Sequence, residues 1–449
     1  MRNTFIIIFL LLQYALVHSQ VPKGDRLLSY QVSSSESQTY DEAFQFAIAH
    51  CMDMNHLQYL WGNYETSAGV FDPENMQFLD ITNIYYPAYN MPLELNIGTM
   101  NTTVNAIPSD LLNMAYDDPM MIERFKAFLD TVFDHIPDVE IKLLNIGNES
   151  AIFMGTDAEQ YTRYKTFLNA VVPYAKEKYM ALHGIELPVG TTLSYERLTD
   201  FSTSSLCHQL NDGLDIVSAT YYPLLPGFQM NIPNAVHDDF DNLVNEYPDI
   251  EQAIYMVECG YASSPICGAN ESMQAQFFEE VFLAWDTHYD NIKSLSIFKV
   301  ADWSQADVDE LGEYYGIDDE AFLEYLRSLG LRTFSGVGED KEAMNSIRCA
   351  LSERNWCPID CAVGLPEVQR SNFSVYPNPA STHVTIELPM KSDFHAIQLV
   401  DLTGRVIMET SLSNQLHITL TLPEVSSGIY SLRLLRSNGD TLNRQLVIE

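Results

Sequence analysis

Two glutamates stand at the ends of apolar runs that fit two different strands. Residues 143–149 read Leu-Leu-Asn-Ile-Gly-Asn-Glu and end at Glu149, and residues 255–258 read Tyr-Met-Val-Glu and end at Glu258. Because the carboxyl ends of the strands of a parallel barrel meet at one pocket, we expect both carboxyl groups there. A carboxyl group that protonates a leaving oxygen, about 5–5.5 Å from one that attacks the anomeric carbon, hydrolyses a glycosidic bond with retention. The pair therefore predicts this chemistry.

Polar and aromatic residues at strand ends are candidates for holding a sugar. Asn148 directly precedes the first glutamate, and Tyr221-Tyr222 closes another apolar run. Since side chains alternate along a strand, one tyrosine ring faces the pocket and the other belongs to the core. Three more candidates lie at other strand ends: Trp61, Asn96 and Trp303. Each tryptophan fits either core packing or a stacking platform for a sugar.

Alternating apolar and amphipathic segments must position these residues. The strand-like segments are 27–32, 56–61, 92–97, 141–146, 188–193, 214–220, 253–257 and 295–300. Helices with capping boxes are expected after Thr39-x-x-Glu42 and Thr156-x-x-Glu159. Eight strands, each followed by a helix, predict a closed (β/α)8 TIM barrel over residues 20–361. An open doubly wound sheet is the alternative, but no Gly-rich turn follows the first strand, which disfavours its dinucleotide-binding form.

The strand-end motifs resemble those of glycoside hydrolase clan A, the retaining barrel glycosidases. Asn148-Glu149 ending strand four and Glu258 ending strand seven look like the clan signature, and residues 214–223 resemble strand six of the endo-β-1,4-galactanase family. The resemblance implies that Glu149 is the acid/base, Glu258 the nucleophile, and Asn148 the partner of the sugar 2-hydroxyl. It also implies that Tyr221 or Tyr222 keeps the nucleophile ionised at a low pKa. The chain departs from the pattern in having no Arg near the end of strand two.

Composition excludes several classes of partner. The chain has 449 residues with 24 Lys and Arg against 61 Asp and Glu, a formal net charge of −37. Such a charge repels nucleic acid and anionic membrane surfaces. Arg2, the apolar run 5–12 and Val17-His18-Ser19 predict a secretory signal peptide over residues 1–19, and no later stretch predicts a membrane helix.

Seven cysteines fit an exported protein, in which disulfides are permitted. Cys259 and Cys267 could close one loop, and Cys349, Cys357 and Cys361 form a cluster. Cys51 and Cys207 lie in predicted helices and are expected to be buried thiols. No Cys/His spacing resembles a zinc site, and glycosidic hydrolysis requires neither a metal nor an organic cofactor.

The tail has a different composition from the barrel. A linker over residues 362–371 precedes a small all-β sandwich over residues 372–449, which has short alternating strands and no helical pattern. Its motifs lie at residues 373–380, 400–404, 427–430 and 446–448, and they resemble the C-terminal sorting domain of the Bacteroidetes type IX secretion system. The alternative is a carbohydrate-binding or fibronectin-like sandwich. The resemblance implies that type IX machinery carries the chain across the outer membrane to the surface or the medium.

Together these patterns predict a secreted, monomeric, retaining glycoside hydrolase that acts on a β-linked polysaccharide or oligosaccharide. The alternative is a non-catalytic surface protein that binds glycans on a barrel scaffold.

Overall fold

A computed structural model divides the chain into two compact units, Met1–Cys361 and Ala362–Glu449. It describes residues 21–361 continuously and, in the second unit, residues 374–376, 380–387, 394–400, 405–412, 417–423, 425–426, 428–436 and 441–448. The predicted signal peptide over residues 1–19 and the predicted linker over residues 362–371 lie outside the described residues. Within the described part, no helix is long and apolar enough to cross a membrane.

Eight parallel strands form the barrel, in agreement with the predicted (β/α)8 fold. They are β1 Leu27–Tyr30, β2 Met54–Leu60, β3 Leu93–Asn101, β4 Ile141–Asn148, β5 in two segments Val189–Gly190 and Thr192–Ser194, β6 Val217–Tyr221, β7 Ile254–Cys259 and β8 Ile292–Ile297. Each strand pairs with the next, and β8 pairs with β1. The first segment of β5 pairs with β4 and the second with β6, so the ring closes through β5.

Eight helices follow the strands in order around the barrel. They are α1 Tyr40–Ala49, α2 Pro73–Ala88, α3 Pro119–His135, α4 Ala158–His183, α5 Ser204–Asn211, α6 Ala235–Glu246, α7 Glu271–Thr287 and α8 Glu342–Glu353. Shorter helices cover Trp61–Tyr64, Ser150–Met154, Tyr195–Thr199, Gln305–Tyr315 and Glu320–Arg327. Short additional strands lie in the segments that follow barrel strands β2, β3 and β6: Glu65–Ser67, Val70–Phe71, Val104–Asn105, Leu224–Leu225 and Gln229–Met230.

The caps show what starts two of these helices. The predicted capping box at α1 is confirmed: the Thr39 hydroxyl accepts a hydrogen bond from the Glu42 backbone N–H, and the Glu42 carboxylate accepts one from the Thr39 N–H. The predicted cap at Thr156 is wrong. Asp157 is the N-cap of α4, because its carboxylate accepts from the first free backbone N–H groups of the helix.

The barrel interior changes from apolar to polar towards the carboxyl ends of the strands. Four buried apolar side chains inside the barrel form a layer that we call the apolar floor. Three of them lie on β2, β4 and β7, and the fourth directly precedes β6: Met54, Leu143, Val257 and Ile216. Two residues later on three of these strands the interior becomes polar, with His56, Asn145 and Ser218, all buried. The polar end therefore lies on the side where the predicted catalytic residues stand.

Two disulfides join the last segment of the barrel to earlier parts, and they correct the expectations for the cysteines. Cys51 is bonded to Cys357, and Cys349 to Cys361. Cys51 is therefore not a buried free thiol, because it follows α1 at the point where the chain after α8 returns. Cys207, Cys259 and Cys267 are buried free thiols, so the predicted loop closed by Cys259 and Cys267 is wrong.

The C-terminal unit is a small antiparallel sandwich, as predicted. Its strands are β9 Ser374–Tyr376, β10 His383–Glu387, β11 Phe394–Val400, β12 Val406–Ser411, β13 His417–Thr421, β14 Gly428–Arg436 and β15 Thr441–Ile448. They form a three-stranded sheet in the order β9-β10-β13 and a four-stranded sheet in the order β12-β11-β14-β15. Side chains of both sheets share one core, including Val384, Ile386, Leu399, Leu432 and Leu446.

Candidate active site

One cavity of about 620 Å³ lies at the carboxyl ends of the barrel strands. Five of the residues selected from the sequence line it: Asn148, Glu149, Tyr222, Glu258 and Trp303. The volume lies within the range of pockets that hold small-molecule ligands. The structure therefore brings the two candidate catalytic glutamates to the same cavity.

Glu149 is held at the end of β4 by an uncommon backbone conformation. Its φ is 48° and its ψ is 36°, a left-handed conformation that costs free energy in a residue other than glycine. Two residues earlier, Gly147 has a φ of 85°, and a Cβ there would lie 2.3 Å from the Tyr164 hydroxyl oxygen. The Asn-Ile-Gly-Asn-Glu segment thus needs its glycine to turn out of the strand and present Glu149 to the cavity.

Two threonine hydroxyls hold the Glu149 carboxyl group. Thr220 Oγ1 donates to Glu149 Oε1 at 2.6 Å, and Thr102 Oγ1 donates to Oε2 at 2.7 Å. The surrounding protein removes water from this carboxyl group and raises its pKa, against the opposing effect of the two hydroxyl donors. The environment therefore favours a protonated Glu149 more than water would.

Glu258 lies near the end of β7 and accepts a hydrogen bond from Tyr222, whose Oη is 2.8 Å from Glu258 Oε2. Desolvation, followed by repulsion from the charge of Glu149, raises the pKa of Glu258 to about 7. The low pKa expected for a nucleophile is thus wrong, because these two effects exceed the stabilisation from the charge of His56 and the hydrogen bond of Tyr222. The shift also shows that the two carboxyl groups interact electrostatically.

The residues beside the two glutamates offer further polar groups. Asn148 Nδ2 donates to Asn101 Oδ1 at 3.0 Å, while its own Oδ1 has no partner among the described residues. An unpartnered buried amide oxygen beside Glu149 can accept a hydrogen bond from a ligand hydroxyl group. This arrangement is compatible with the 2-hydroxyl role that the resemblance implies.

Trp303 lines the cavity after β8, and Lys299 Nζ lies 2.8 Å from its ring centroid. Within the described part of the chain the indole N–H has no hydrogen-bond partner. One face of the ring is therefore occupied by the lysine, and only the other face remains for a sugar.

Three of the residues selected as substrate-binding candidates do not line the cavity. Trp61 is fully buried in the core, and its indole N–H donates to Glu65 Oε2 at 2.9 Å. Tyr221 is also buried, with its hydroxyl donating to Asp239 Oδ2 at 2.7 Å, as strand alternation with Tyr222 requires. Asn96 lies inside the barrel and donates to Thr192 Oγ1 at 3.0 Å. The prediction that these three residues contact the substrate is therefore wrong, because all three are buried inside the protein.

Sequence reasoning missed several cavity residues. Thr220 stands two positions before Tyr222, so strand alternation could have placed both on the interior face. Thr102 has a φ of 53° in a turn that no pattern in the sequence indicated. The sequence did predict that the segment after Trp303, about residues 304–340, forms one wall of the cleft. The helices Gln305–Tyr315 and Glu320–Arg327 of that segment supply an aromatic wall through Tyr315, Phe322 and Tyr325. Tyr325 packs edge-on against Tyr222 with ring centroids 5.9 Å apart.

The cavity is strongly acidic. Its carboxyl groups belong to Glu149, Glu196, Asp200, Asp239 and Glu258, and no Lys or Arg is among the described residues that line it. The described residues also contain no group of three His, Cys, Asp or Glu side chains placed to hold a metal ion. The chemistry that the arrangement itself offers is proton transfer and nucleophilic attack by carboxyl groups.

Comparison with known families identifies the tail. Residues 374–449 match the family model of the secretion system C-terminal sorting domain. The predicted sorting domain is thereby confirmed, and it directs type IX secretion of the chain, with attachment to the cell surface or release. No curated protein matches the chain.

Solved structures with a similar fold are glycoside hydrolases. A GH5_18 protein from Streptomyces cattleya in complex with GlcNAc has a TM-score of 0.56 and 13% identity, over 76% of this chain and 82% of its own. A GH5_18 variant from Bifidobacterium longum subsp. longum in complex with Manβ1-4GlcNAc has a TM-score of 0.55 and 13% identity, over 75% of this chain and 80% of its own. The exo-β-1,4-mannosidase Op5Man5 from Opitutaceae bacterium strain TAV5 has a TM-score of 0.52 and 12% identity, over 73% of this chain and 60% of its own.

Identities this low show a common fold, and the particular likeness of strand six to galactanases stays a prediction. The chain thus joins a barrel with the fold of these glycoside hydrolases to a type IX secretion sorting domain.

Proposed function

We propose that the protein is a secreted retaining glycoside hydrolase that cleaves a β-linked polysaccharide or oligosaccharide by double displacement. The observation that carries the proposal is the pair Glu149 and Glu258, which face one cavity at the carboxyl end of the barrel and interact electrostatically. Two carboxyl groups in one pocket are the machinery that this reaction needs.

In the first step, Glu149 donates its proton to the glycosidic oxygen while a Glu258 oxygen attacks the anomeric carbon. The leaving group departs as an alcohol, and the sugar is esterified to Glu258. In the second step, Glu149 takes a proton from a water molecule that attacks the same carbon, which releases the sugar and restores both groups. Asn148 Oδ1 accepts from the 2-hydroxyl, and the free face of Trp303 stacks on a sugar ring.

The charge state of the pair supports this mechanism. Double displacement needs one protonated and one ionised carboxyl group at the same pH. Desolvation raises the pKa of both groups, and the charge of Glu149 helps to raise the pKa of Glu258 to about 7. The pair therefore shares one proton just below pH 7, which is a property of the pair rather than of either residue.

The similar structures suggest which sugars to test first. Two of them are complexes with Manβ1-4GlcNAc and GlcNAc, and a third is an exo-β-1,4-mannosidase. The strand-six resemblance adds β-1,4-galactan to this set. We therefore place β-mannosides and β-galactans at the head of a glycan panel.

The experiment measures new reducing ends released from that panel by wild type, by Glu258→Gln and by Glu123→Gln. Glu123 is an exposed glutamate on α3 that does not line the cavity, so its variant controls for loss of one negative charge. We expect at least one substrate for which Glu258→Gln lowers kcat by several orders of magnitude while Glu123→Gln does not. Tight binding of a glycan without cleavage by wild type would instead support the non-catalytic surface protein.

A further inference from the structure

A chain of hydrogen-bonded side chains connects the segment after β8 with the residue beside Glu149. Asn101 ends β3 and Asn148 ends β4, and the two are register partners. Asn148 Nδ2 donates to Asn101 Oδ1 at 3.0 Å, and Asn101 Nδ2 donates to the Tyr314 hydroxyl oxygen at 3.2 Å. Tyr314 belongs to the helix Gln305–Tyr315. The chain thus joins three segments that are far apart in the sequence.

This chain determines which group of the Asn148 amide is free. Both asparagines are buried, and both line the cavity. A primary amide has an acceptor oxygen on one side and a donor NH₂ on the other, and a half turn about its last bond exchanges them. Because Asn101 Oδ1 binds Asn148 Nδ2, Asn148 Oδ1 is left without a partner among the described residues. The orientation of Asn148 therefore depends on the orientation of Asn101.

Tyr314 holds the Asn101 amide from outside the cavity. It is 37% exposed and does not line the cavity. Its ring packs edge-on against Tyr315 with ring centroids 4.9 Å apart, and Tyr315 packs edge-on against Phe322 at 5.9 Å. These ring contacts position the Tyr314 hydroxyl group that accepts from Asn101 Nδ2. Tyr314 therefore acts on the cavity through Asn101.

Glu149 is held by hydrogen bonds of its own. Thr220 and Thr102 donate to its two carboxyl oxygens, and neither bond involves the side chain of Asn101 or of Tyr314. The backbone at the end of β3 is also held separately, because the Thr102 N–H donates to the Asn148 carbonyl oxygen at 3.1 Å. Changes at the Tyr314 and Asn101 side chains should therefore affect the Asn148 amide and leave Glu149 in place.

We propose that Tyr314 and Asn101 are positioning residues that turn the Asn148 amide so that its oxygen accepts a hydrogen bond from the 2-hydroxyl of the sugar that is cleaved. The proposal rests on the proposed function. It also defines the substrate class, because a buried acceptor that meets no donor on the ligand costs binding free energy. The site therefore selects sugars with a free 2-hydroxyl and discriminates against 2-deoxy sugars.

Three single substitutions test the chain. Tyr314→Phe removes one hydroxyl group and keeps the ring, and Asn101→Leu removes both hydrogen bonds of Asn101 with a side chain of similar size. The control is Tyr289→Phe, which removes the hydroxyl of an exposed tyrosine that does not line the cavity. Thermal unfolding verifies that the variants fold. Tyr314→Phe leaves both buried amides in place, so the test does not depend on the stability of Asn101→Leu.

The first readout needs no substrate. The full-length protein is labelled with ¹⁵N at asparagine side-chain amides, and the Asn148 signals are assigned by their loss in Asn148→Ala. We expect these signals to shift in Tyr314→Phe and in Asn101→Leu, because the hydrogen bonds that orient the amide change, and to stay in place in Tyr289→Phe. A folded Tyr314→Phe variant in which the Asn148 signals do not move overturns the proposal.

The second readout compares a substrate found in the glycan panel with its 2-deoxy analogue. For the substrate that has the 2-hydroxyl, kcat/KM should fall about threefold to tenfold in Tyr314→Phe and about a hundredfold in Asn101→Leu. For the 2-deoxy analogue, kcat/KM should stay within about twofold of the wild-type value. Equal losses on the two substrates indicate a merely structural role and overturn the proposal. Shifted Asn148 signals in a protein that cleaves no glycan support the link between Tyr314 and Asn148 and overturn the proposed function alone.

Discussion

Glu149 occupies a backbone conformation that costs about 1 kcal/mol or more, and it is held there by hydroxyl groups from two other segments. Strained residues of this kind cluster at functional sites, because the fold must compensate for them. At the residue scale, the strain and the converging hydrogen bonds of Glu149 support a role as acid and base.

Glu149→Gln should separate the two roles of the pair. Without an acid, cleavage of a natural glycan should fall by about 10²–10⁴-fold, because its alcohol leaving group needs a proton. Hydrolysis of a dinitrophenyl glycoside of the same sugar should begin nearly normally, since that leaving group departs unprotonated. Steady-state and burst kinetics on the two substrates check this, and an equal loss on both would argue against the acid role.

The pH dependence follows from the shared proton. Because Glu149 and Glu258 share this proton, and the pKa of Glu258 is raised to about 7, kcat/KM should fall as the pair loses the proton above about pH 7. At low pH both groups are protonated, the nucleophile is lost, and kcat/KM should fall again. A rate profile of wild type between pH 4 and 9 measures both limbs. A flat profile would contradict a mechanism that depends on these two carboxyl groups.

Residue-scale prediction from the sequence succeeded where a single rule applied. A glutamate at the end of an apolar run places Glu149 and Glu258 in the cavity. Strand alternation predicts that one ring of Tyr221-Tyr222 faces the cavity, and the structure shows that it is Tyr222. Neither rule could identify Trp61 as internal, because its burial depends on a distant packing partner, Phe125, and on Glu65.

At the scale of elements, hydrophobic periodicity predicted all eight barrel strands, since strands buried on both faces read as continuous apolar runs. The helices Gln305–Tyr315 and Glu320–Arg327 were not predicted, although Ser304 forms a capping box with Asp307 and Asp319 caps the second helix. These signals are short and local. Which residues of these helices line the cavity depends on how the segment after β8 packs, and hydrophobic periodicity gives no information about that packing.

The disulfide Cys51–Cys357 connects the end of the first helix with the segment after the last. Its sequence separation is 306, against 12 for Cys349–Cys361. Because loop-closure entropy grows with loop length, Cys51→Ala/Cys357→Ala should lose more stability than Cys349→Ala/Cys361→Ala, with about 2–5 kcal/mol for the former. Differential scanning calorimetry of both variants measures this. Equal or reversed losses would show that the long loop is already constrained in the unfolded chain.

At the scale of the whole molecule, the two units have separate hydrophobic cores. Deleting residues 372–449 should leave the melting temperature of the barrel and its activity in vitro unchanged. In a host that has type IX secretion, the truncated protein should remain in the periplasm, because the sorting domain carries the secretion signal. Cell fractionation with immunodetection checks this. Truncated protein outside the cell at the wild-type level would contradict the assignment.

The secretion signal of the sorting domain should also be transferable to another protein. Fusing residues 362–449 to an exported reporter should move the reporter out of the periplasm in the same host, whereas the reporter without the tail should stay there. A reporter retained in the periplasm despite a folded tail would show that sorting needs the barrel as well.

A covalent bond between Glu258 and the sugar leaves its mark on the stereochemistry of the product. The anomeric proton of the first product released from the best panel substrate is followed by ¹H NMR before mutarotation. Two displacements at one carbon predict that the β-glycoside first yields the β-hemiacetal. With Glu258→Gln and azide we expect an α-glycosyl azide instead. First release of the α-hemiacetal by wild type would contradict double displacement.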